Sequence, residues 1–373
     1  MTNAGKHMAP ISLTDKASRQ STGSLSLAIV VVSYNVRDLL RACLAATYAS
    51  LAHEDDLDAM LWVVDNASTD GSAEMTASAF PQARLIASLM NLGFAGGNNL
   101  ALRTMGLGGT SPSAGPDRPQ GAIAVGGRIH PSDVDSVPQL VMLLNPDAEP
   151  RADAIGRMAR FLRDHPAAGG VGAQLRYPDG RFQHGAFRFP GLWQLWFDFF
   201  PPRPRRLLDS RLNGRYPLAS YEAGEPFPID FALGAALMVR REAIWDAGLL
   251  DEGYFMYAEE VDWCWRIRRA GWPLYCAPAA TVVHHGGAST RQFRARSFIN
   301  LWRSRYRLYE RFYSPAKRRL ASLIVSIGMP VEAHRAGVAA KRGEIPADEL
   351  SQRLEAIRQV TALFRGGLRV EVR

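Results

Sequence analysis

The chain has 373 residues, 47% of them hydrophobic and 21% charged, with a net charge of +8, which describes a globular protein with a sizeable core and excludes the disordered and fibrous classes. The basic excess is not one tract and carries no helix-turn-helix, finger or RNA-binding signature, so anionic small substrates or an acidic membrane surface are expected as partners and nucleic acid is not. No apolar run reaches the roughly 18 residues that span a bilayer; 320–331 comes nearest and contains Gly328 and Pro330.

Three cysteines, Cys43, Cys264 and Cys276, cannot all pair and lack metal-ligand spacing, which favours reduced thiols in a cytosolic setting. Residues 1–24 are polar, without the apolar core of a secretion signal, and are expected to be a disordered arm. Residues 25–32 are a nearly continuous aliphatic run, the pattern of a central strand, and deliver Ser33, Tyr34 and Asn35 to its carboxyl edge. Leu39, Leu40, Cys43, Leu44 and Tyr48 then keep helical spacing.

A second strand over 60–64 ends in Asp65-Asn66-Ala67-Ser68-Thr69-Asp70-Gly71-Ser72, a turn-rich stretch opening a helix near Ser72. Asp65 is placed to accept hydrogen bonds from a ribose or a base, and it reads equally as a turn residue satisfying backbone amides. A third strand over 84–87 leads to Asn91-Leu92-Gly93-Phe94-Ala95-Gly96-Gly97-Asn98-Asn99. Its glycines allow close backbone approach to a ligand, and a helix beginning near Gly96 would aim free amides at an anion. The stretch matches neither the P-loop nor the full dinucleotide fingerprint. Residues 104–138, rich in Gly, Pro, Ser and Asp, read as a loop insertion, with one strand-like patch at 122–125.

Val141-Met142-Leu143-Leu144-Asn145-Pro146-Asp147 has the pattern of a buried parallel strand opening into a loop. Ligand crevices of open α/β sheets lie at such carboxyl ends. Asp147 is therefore a candidate ligand for a divalent cation that neutralises a diphosphate, or alternatively a cap for the helix that follows. A helix over 154–162 and a strand over 170–175 come next, and Tyr177-Pro178-Asp179-Gly180 predicts a hairpin with 182–189. Residues 192–217 mix aromatics with arginines and prolines, as either a mobile acceptor-side loop or a surface excursion.

Within 228–239, Leu233-Gly234-Ala235-Ala236-Leu237 allows either ligand approach or close strand packing. Glu259, Glu260 and Asp262, hemmed by aromatics at a helix start, crowd like charges in an apolar setting. That raises carboxylate pKa values and suits a general base near neutrality, although the helix dipole also favours an acidic first turn. Two short strands are expected over 272–277 and 280–283, the second delivering His284, which is either structural or a metal ligand beside Asp147. Helical spacing holds over 293–312 and again over 346–364. Ten basic residues against three acids over 301–344, beside Phe298, Trp302 and Tyr309, point to an anionic leaflet or to a solvated helix surface.

Taken in order, Ser33-Tyr34-Asn35, Asp65-Asn66 with Ser68, Asp70, Gly71 and Ser72, the 91–99 turn, Asn145-Pro146-Asp147, the Gly234 segment, Glu259-Glu260 with Asp262 and Arg266, and His284 resemble the inverting family 2 glycosyltransferases, particularly the rhamnosyltransferase-like branch. The resemblance covers about residues 25–311. It implies a GT-A fold: an α/β, Rossmann-like, mostly parallel central sheet flanked by helices over 25–290, with a helical extension over 291–373. It implies a nucleotide-sugar donor, with Asp65 contacting the nucleoside and Ser33, Asn35, Asn66, Asn91, Gly93, Gly97 and Asn98 near base, ribose and phosphates. Asn145 and Gly234 would also line the donor site, and Arg266 would add charge for the leaving diphosphate. Asp147 matches the last acid of the Asp-X-Asp motif, whose first position is here Asn145, so Asp147 and His284 would hold Mg or Mn. Glu260 stands at the catalytic-base position, where the family more often has Asp, with Glu259 and Asp262 as substitutes.

The Gln-X-X-Arg-Trp motif of processive synthases is absent, implying the addition of one or a few sugars. The donor implied first is dTDP-rhamnose, or a UDP-sugar, and the acceptor a glycan or lipid-linked molecule of cell-surface polysaccharide synthesis. The setting would be cytoplasmic, peripheral at the inner face of the cell membrane. Competing readings are a nucleotidyltransferase on a similar fold and a non-catalytic module that binds nucleotide-sugars.

Overall fold

The computed structural model describes residues 24–108, 122–123, 137–286 and 294–366. Strand β1 (Leu25–Ser33) is buried over its last seven residues, as an aliphatic run covered on both faces must be. Leu27, Ile29 and Val31 enter one core while Ala28, Val30 and Val32 enter another, the two-residue alternation of an extended chain. β1 pairs in parallel with β2 (Leu57–Asp65) and β5 (Leu140–Leu144). β2 pairs in parallel with β3 (Arg84–Ser88), whose outer edge takes the short antiparallel β4 (Ala122–Ile123).

Beyond β5 one inner strand is reversed. β12 (Ala236–Arg240) runs antiparallel to both β5 and β7 (Gly170–Arg176), and β13 (Leu274–His284) lies parallel to β7. Short strands β6 (Ala148–Pro150) and β10 (Phe227–Ile229) pair antiparallel with the end and the start of β13. The sheet is thus mixed but mostly parallel, and β1, β2, β3, β5, β7 and β13 all end on one edge. Because β12 is reversed, its amino end reaches that same edge, which brings Gly234 there.

One face is covered by α1 (Arg37–Leu51), α2 (Ser72–Ala79) and α4 (Ala154–Asp164). The other is covered by α3 (Gly93–Thr104), α7 (Arg241–Ala247) and α8 (Glu259–Arg269). Helices α5 (Leu192–Phe199), α6 (Leu218–Glu222), α9 (Arg294–Phe312), α10 (Pro315–Lys341) and α11 (Ala347–Phe364) share that second core through Phe199, Tyr221, Trp302, Leu308, Val325, Met329 and Val360.

The expected arm over 1–24 falls outside the described residues except for Ser24, as do most of the 104–138 insertion and the expected boundary at 290/291. The strands expected at 272–277 and 280–283 are the single β13, whose register with β7 shifts between Ala277 and Thr281; Pro278, which has no amide to donate, lies in that gap. The hairpin expected over 182–189 is divided. β8 (Phe182–Gln183) pairs with β7, whereas β9 (Ala186–Phe187) pairs with β11 (Phe231–Ala232) in a separate small sheet. Helix α10 runs through Gly328 and Pro330, where the sequence reading placed no element. A Cβ at position 328 would lie 2.2 Å from the Phe199 ring, so the glycine serves close helix packing rather than a break.

A further correction concerns Trp302 and Tyr309, which face inward. They are 3% and 5% exposed, and Trp302 stacks on Phe199 while Tyr309 stacks on Tyr313. That aromatic row closes the core and offers nothing to a leaflet.

Candidate active site

At the edge where the strands end, a cleft of about 380 Å³ opens. Its floor comes from Tyr34, Asn66, Asn145 and Asp147 at strand ends, and from Gly234 before β12. Gly93 and Phe94 at the start of α3, and Phe255, Glu259 and Glu260 leading into α8, form its walls. His284 closes one side and α9 contributes Arg296 and Asn300.

Asp147 and His284 meet because β6 pairs with β13: Ala148 is the register partner of His284, and the His285 amide donates to the Asp147 carbonyl at 3.0 Å. His284 Nε2 lies 3.4 Å from Asp147 Oδ1 and 3.4 Å from Asn145 Nδ2. On the far side of the ring, Nδ1 is 3.2 Å from Gln183 Oε1. An amide oxygen only accepts, so Nδ1 carries a proton and Nε2 is the nitrogen turned toward Asp147; in the neutral ring its lone pair is the one a metal would take. Burial raises the Asp147 carboxyl, but the hydrogen bond and charge that His284 supplies when it carries a proton on Nε2 outweigh it and hold the group below its usual range; a bound cation would stand in the place of that proton. Among the described residues no cluster of three His, Cys, Asp or Glu is placed to hold a metal. A cation held by this pair would therefore have to take its remaining ligands from phosphate oxygens and water.

The same cleft is lined by Glu259 and Glu260. The bend that delivers them places two consecutive non-glycine residues, Tyr257 and Ala258, at φ 72° and 63°, a left-handed conformation costing roughly 1–2 kcal/mol each. Surrounding contacts hold it: the Phe94 amide donates to Phe255 O at 2.9 Å, and Ser304 Oγ donates to Met256 O at 2.7 Å. Oε2 of both glutamates is buried and has no partner among the described residues. Burial pushes both carboxyls up, Glu260 to about 7, and the charge of Glu260 raises Glu259 further. Acids that bind a proton near neutrality are suited to general-base chemistry.

The asparagines and glycines of the donor side act mostly as braces. Asn66 Nδ2 donates to Asn91 Oδ1 and Gly93 O at 3.1 and 3.0 Å, while its Oδ1 accepts from the Leu92 amide at 3.1 Å. A Cβ on Gly93 would lie 2.1 Å from Phe255 O, and one on Gly97 2.7 Å from Val32. The glycines thus serve protein packing. Helix α3 starts at Gly93, and its first amides are already engaged, Gly93 N by Asn91 Oδ1 and Phe94 N by Phe255 O, so the anion site expected there is not formed by them. Asn35 Oδ1 accepts from the Thr69 amide and knits the loops after β1 and β2. Asn98 Nδ2 donates to Phe94 O, and neither Asn98 nor Gly97 lines the cleft. Ser33 and Asp65 are register partners at the ends of β1 and β2, with Ser33 Oγ and Asp65 Oδ1 both buried and unpartnered among the described residues. Burial raises the Asp65 carboxyl above its ordinary value.

Asp262 and Arg266 are committed elsewhere. Fully buried Asp262 accepts from Arg266 Nε at 2.6 Å, Arg311 Nη1 at 3.0 Å and the Tyr254 hydroxyl at 3.2 Å. Arg266 also donates to the carbonyls of Ala247 and Leu249, which leaves Arg296 as the guanidinium lining the cleft. Removing one partner of a buried ion pair strands the other charge. Asp262→Ala is therefore expected to cost about 3–5 kcal/mol of stability, measured by chemical denaturation. A fully stable but inactive variant would return Asp262 to the catalytic set.

Residues 28–105 match the family described as Glycosyl transferase family 2. The N-acetylglucosaminyl-diphospho-decaprenol L-rhamnosyltransferase of Mycobacterium tuberculosis is 30% identical over 269 residues, 71% of this chain and 77% of that one. Rhamnosyltransferase WbbL of Escherichia coli (strain K12) is 31% identical over 94 residues, 25% of this chain and 33% of that one. In fold, the chain resembles the mannosyltransferase PcManGT from Pyrobaculum calidifontis, solved with GDP-Man and Mn2+, at a TM-score of 0.50 and 19% identity, covering 92% of this chain and 85% of that one. A match that covers 77% of a rhamnosyltransferase, set on a GT-A sheet, shows that the chain belongs to glycosyltransferase family 2, is rhamnosyltransferase-like, and transfers sugar in glycan synthesis.

Proposed function

We propose that the chain moves one sugar, rhamnose from dTDP-rhamnose as first choice or the sugar of a UDP donor, to a hydroxyl of a lipid-diphosphate-linked glycan, with inversion and with a divalent cation. The observation that carries this reading is one cleft lined both by the Asp147 and His284 pair and by Glu259 and Glu260, whose Oε2 atoms have no partner among the described residues. A cation held by Asp147 and His284 would neutralise the departing diphosphate, and the imidazole ligand favours Mn over Mg. Arg296 adds positive charge at the same cleft. Glu260 accepts the acceptor's hydroxyl proton at Oε2, the atom to which the described residues offer no hydrogen bond. Attack on the side opposite the leaving group then inverts the anomeric carbon in one step. Ser33 and Asp65, 0% and 3% exposed and one residue back from Tyr34 and Asn66 in the cleft lining, would give their unpartnered oxygens to the nucleoside once it displaces what covers them. The acceptor class follows the Mycobacterium tuberculosis relative, which is named for a decaprenyl diphosphate carrying N-acetylglucosamine; such an acceptor is met at a leaflet, here the inner face of the cell membrane.

The test is to incubate the full chain with dTDP-rhamnose, Mn and a polyprenyl-diphosphate N-acetylglucosamine acceptor, following dTDP release and the anomeric configuration of the product. Coupled release and inverted product are expected. The base acts when ionised, so the rate should rise about tenfold per pH unit up to about pH 7 and then level. A flat profile over that range removes Glu260 from the role. Pyrophosphate formed from a sugar phosphate and a nucleoside triphosphate would indicate a nucleotidyltransferase, and donor binding without turnover a non-catalytic module.

A further inference from the structure

One face of helix α9 is spent on the segment that carries the two glutamates. Ser304, Arg307 and Arg311 follow helical spacing and share that face. Arg307 donates to Asp251 from Nε at 3.1 Å and from Nη2 at 2.8 Å, and Arg311 donates to Asp251 and, at 3.0 Å, to Asp262. Asp251 and Asp262 stand before and after the bend, so both its ends are tied to α9. Between them Ser304 Oγ donates to Met256 O at 2.7 Å, immediately before the left-handed residues Tyr257 and Ala258. Asn300 and Arg296, one and two turns earlier on the same face, line the cleft itself.

The direction of the Ser304 hydroxyl is informative. A serine inside a helix ordinarily faces water or turns its hydroxyl back to the carbonyl four residues earlier. Ser304 is 5% exposed and gives its hydrogen bond to another element. What it holds is a backbone that would prefer another shape, since Ala258 carries a Cβ at φ 63°, where glycine would be unstrained. Such strain persists only where surrounding contacts over-determine it, and it gathers at active sites. Ala258 is the residue before α8, so the shape of the bend sets where Glu259 and Glu260 stand.

We propose that Ser304 is a positioning residue for sugar transfer: its hydroxyl, by holding Met256 O, keeps the bend left-handed and thereby keeps Glu260 in place at the cleft. Ser304 does not line the cleft, so it acts through the bend and not on the substrate. Arg307 and Arg311 fix where the segment begins and ends, and loss of the hydroxyl therefore frees the bend without detaching the segment. The proposal rests on the reading of this turn as the one that carries the base.

The full-length Ser304→Ala variant is compared with wild type for kcat and donor KM, by dTDP release at saturating Mn, and for amide hydrogen exchange. Its kcat is expected to fall by about tenfold or more, because a displaced base loses its alignment with the acceptor hydroxyl, while donor KM stays within about twofold. Exchange should quicken at the Asp262 amide, which donates to Ala258 O at 2.9 Å and closes the first turn of α8, and stay unchanged in the central sheet. Ala258→Gly supplies the second arm. Glycine takes the left-handed conformation without strain, so the bend then needs Ser304 less, and Ser304→Ala should cost about threefold less, or better, in kcat in the Ala258→Gly background. A serine that merely packs α9 against the core would cost the same in both backgrounds. Equal losses in the two backgrounds, kcat or Asp262 exchange unchanged in Ser304→Ala, or donor KM rising in step with the fall in kcat overturns the proposal. A fully active Ser304→Ala beside an inactive Glu260→Gln removes the positioning role and leaves the base reading intact. Normal turnover in Glu260→Gln moves the base to Glu259 on the same turn and leaves a Ser304→Ala defect standing. Absence of turnover in wild type removes the functional reading and the positioning role with it, while the exchange arm still reports whether Ser304 holds the bend.

Discussion

Glu260→Gln is expected to lower turnover by roughly 100-fold or more while donor affinity stays within a few-fold, as for loss of a positioned base. Glutamine keeps the side-chain volume but has no oxygen that can take the acceptor's proton. The cleft offers Oε2 of Glu260 no hydrogen bond among the described residues, so the substitution breaks no internal contact of that atom. Stability supplies an independent check. The Glu260 carboxyl titrates higher in the fold than in an open chain, so the folded state holds a proton that the unfolded state has released. Its contribution to stability therefore falls as pH rises from the ordinary glutamate value to about 7 and is constant above. At pH 8 the Gln variant should be at least as stable as wild type, which separates a chemical defect from a folding one. Near-normal turnover in Glu260→Gln would transfer the role to Glu259, whose Oε2 is equally unpartnered. Asp262 is no candidate for that transfer, because its oxygens are taken by Arg266, Arg311 and Tyr254.

The parts of this site legible in the sequence are those that a single strand end announces. The aliphatic run before Asn145 fixed a central strand, and Asp147 followed directly. The reversed strand β12 was less legible, because small residues from Gly234 to Ala236 fit either packing or ligand approach, and only its antiparallel place between β5 and β7 brings Gly234 to the shared edge. The pairing of Asp262 with Arg266 had a usable signal: four residues apart on a helix is ion-pair spacing. Crowding of like charge at Glu259, Glu260 and Asp262 competes with that spacing, and the diphosphate role of Arg266 follows from the family resemblance alone, whereas the structure spends its guanidinium on Asp262 and on the carbonyls of Ala247 and Leu249. Arg296 and Gln183 had no motif to mark them, since both reach the site only through the packing of α9 and β8 around it. Helix α10 was hidden for a related reason. With apolar residues on opposite sides it lacks the one-sided period by which amphipathic helices are recognised, and Pro330 added a false stop.

Asp147→Ala is expected to remove the metal-dependent part of donor affinity and to lower kcat/KM by about 100-fold or more at saturating Mn, equivalent to roughly 2.7 kcal/mol. The side chain is buried beside His284, and without it a single imidazole remains to hold the ion. One neutral ligand among water and phosphate oxygens does not compensate the charge of a divalent cation. The loop itself should persist, because its link to β13 runs through the Asp147 backbone carbonyl and the His285 amide at 3.0 Å rather than through the carboxylate. Gln183→Ala gives a graded comparison. It frees Nδ1 of His284 and with it the choice of tautomer, and loss of such an orienting partner typically costs 10–100-fold in metal affinity. Titrating Mn by paramagnetic resonance in the presence of dTDP should therefore rank wild type above Gln183→Ala and Gln183→Ala above Asp147→Ala. Donor affinity equal with and without Mn or Mg in wild type, or unchanged in Asp147→Ala, would sink the metal assignment and leave Arg296 as the cation that meets the diphosphate.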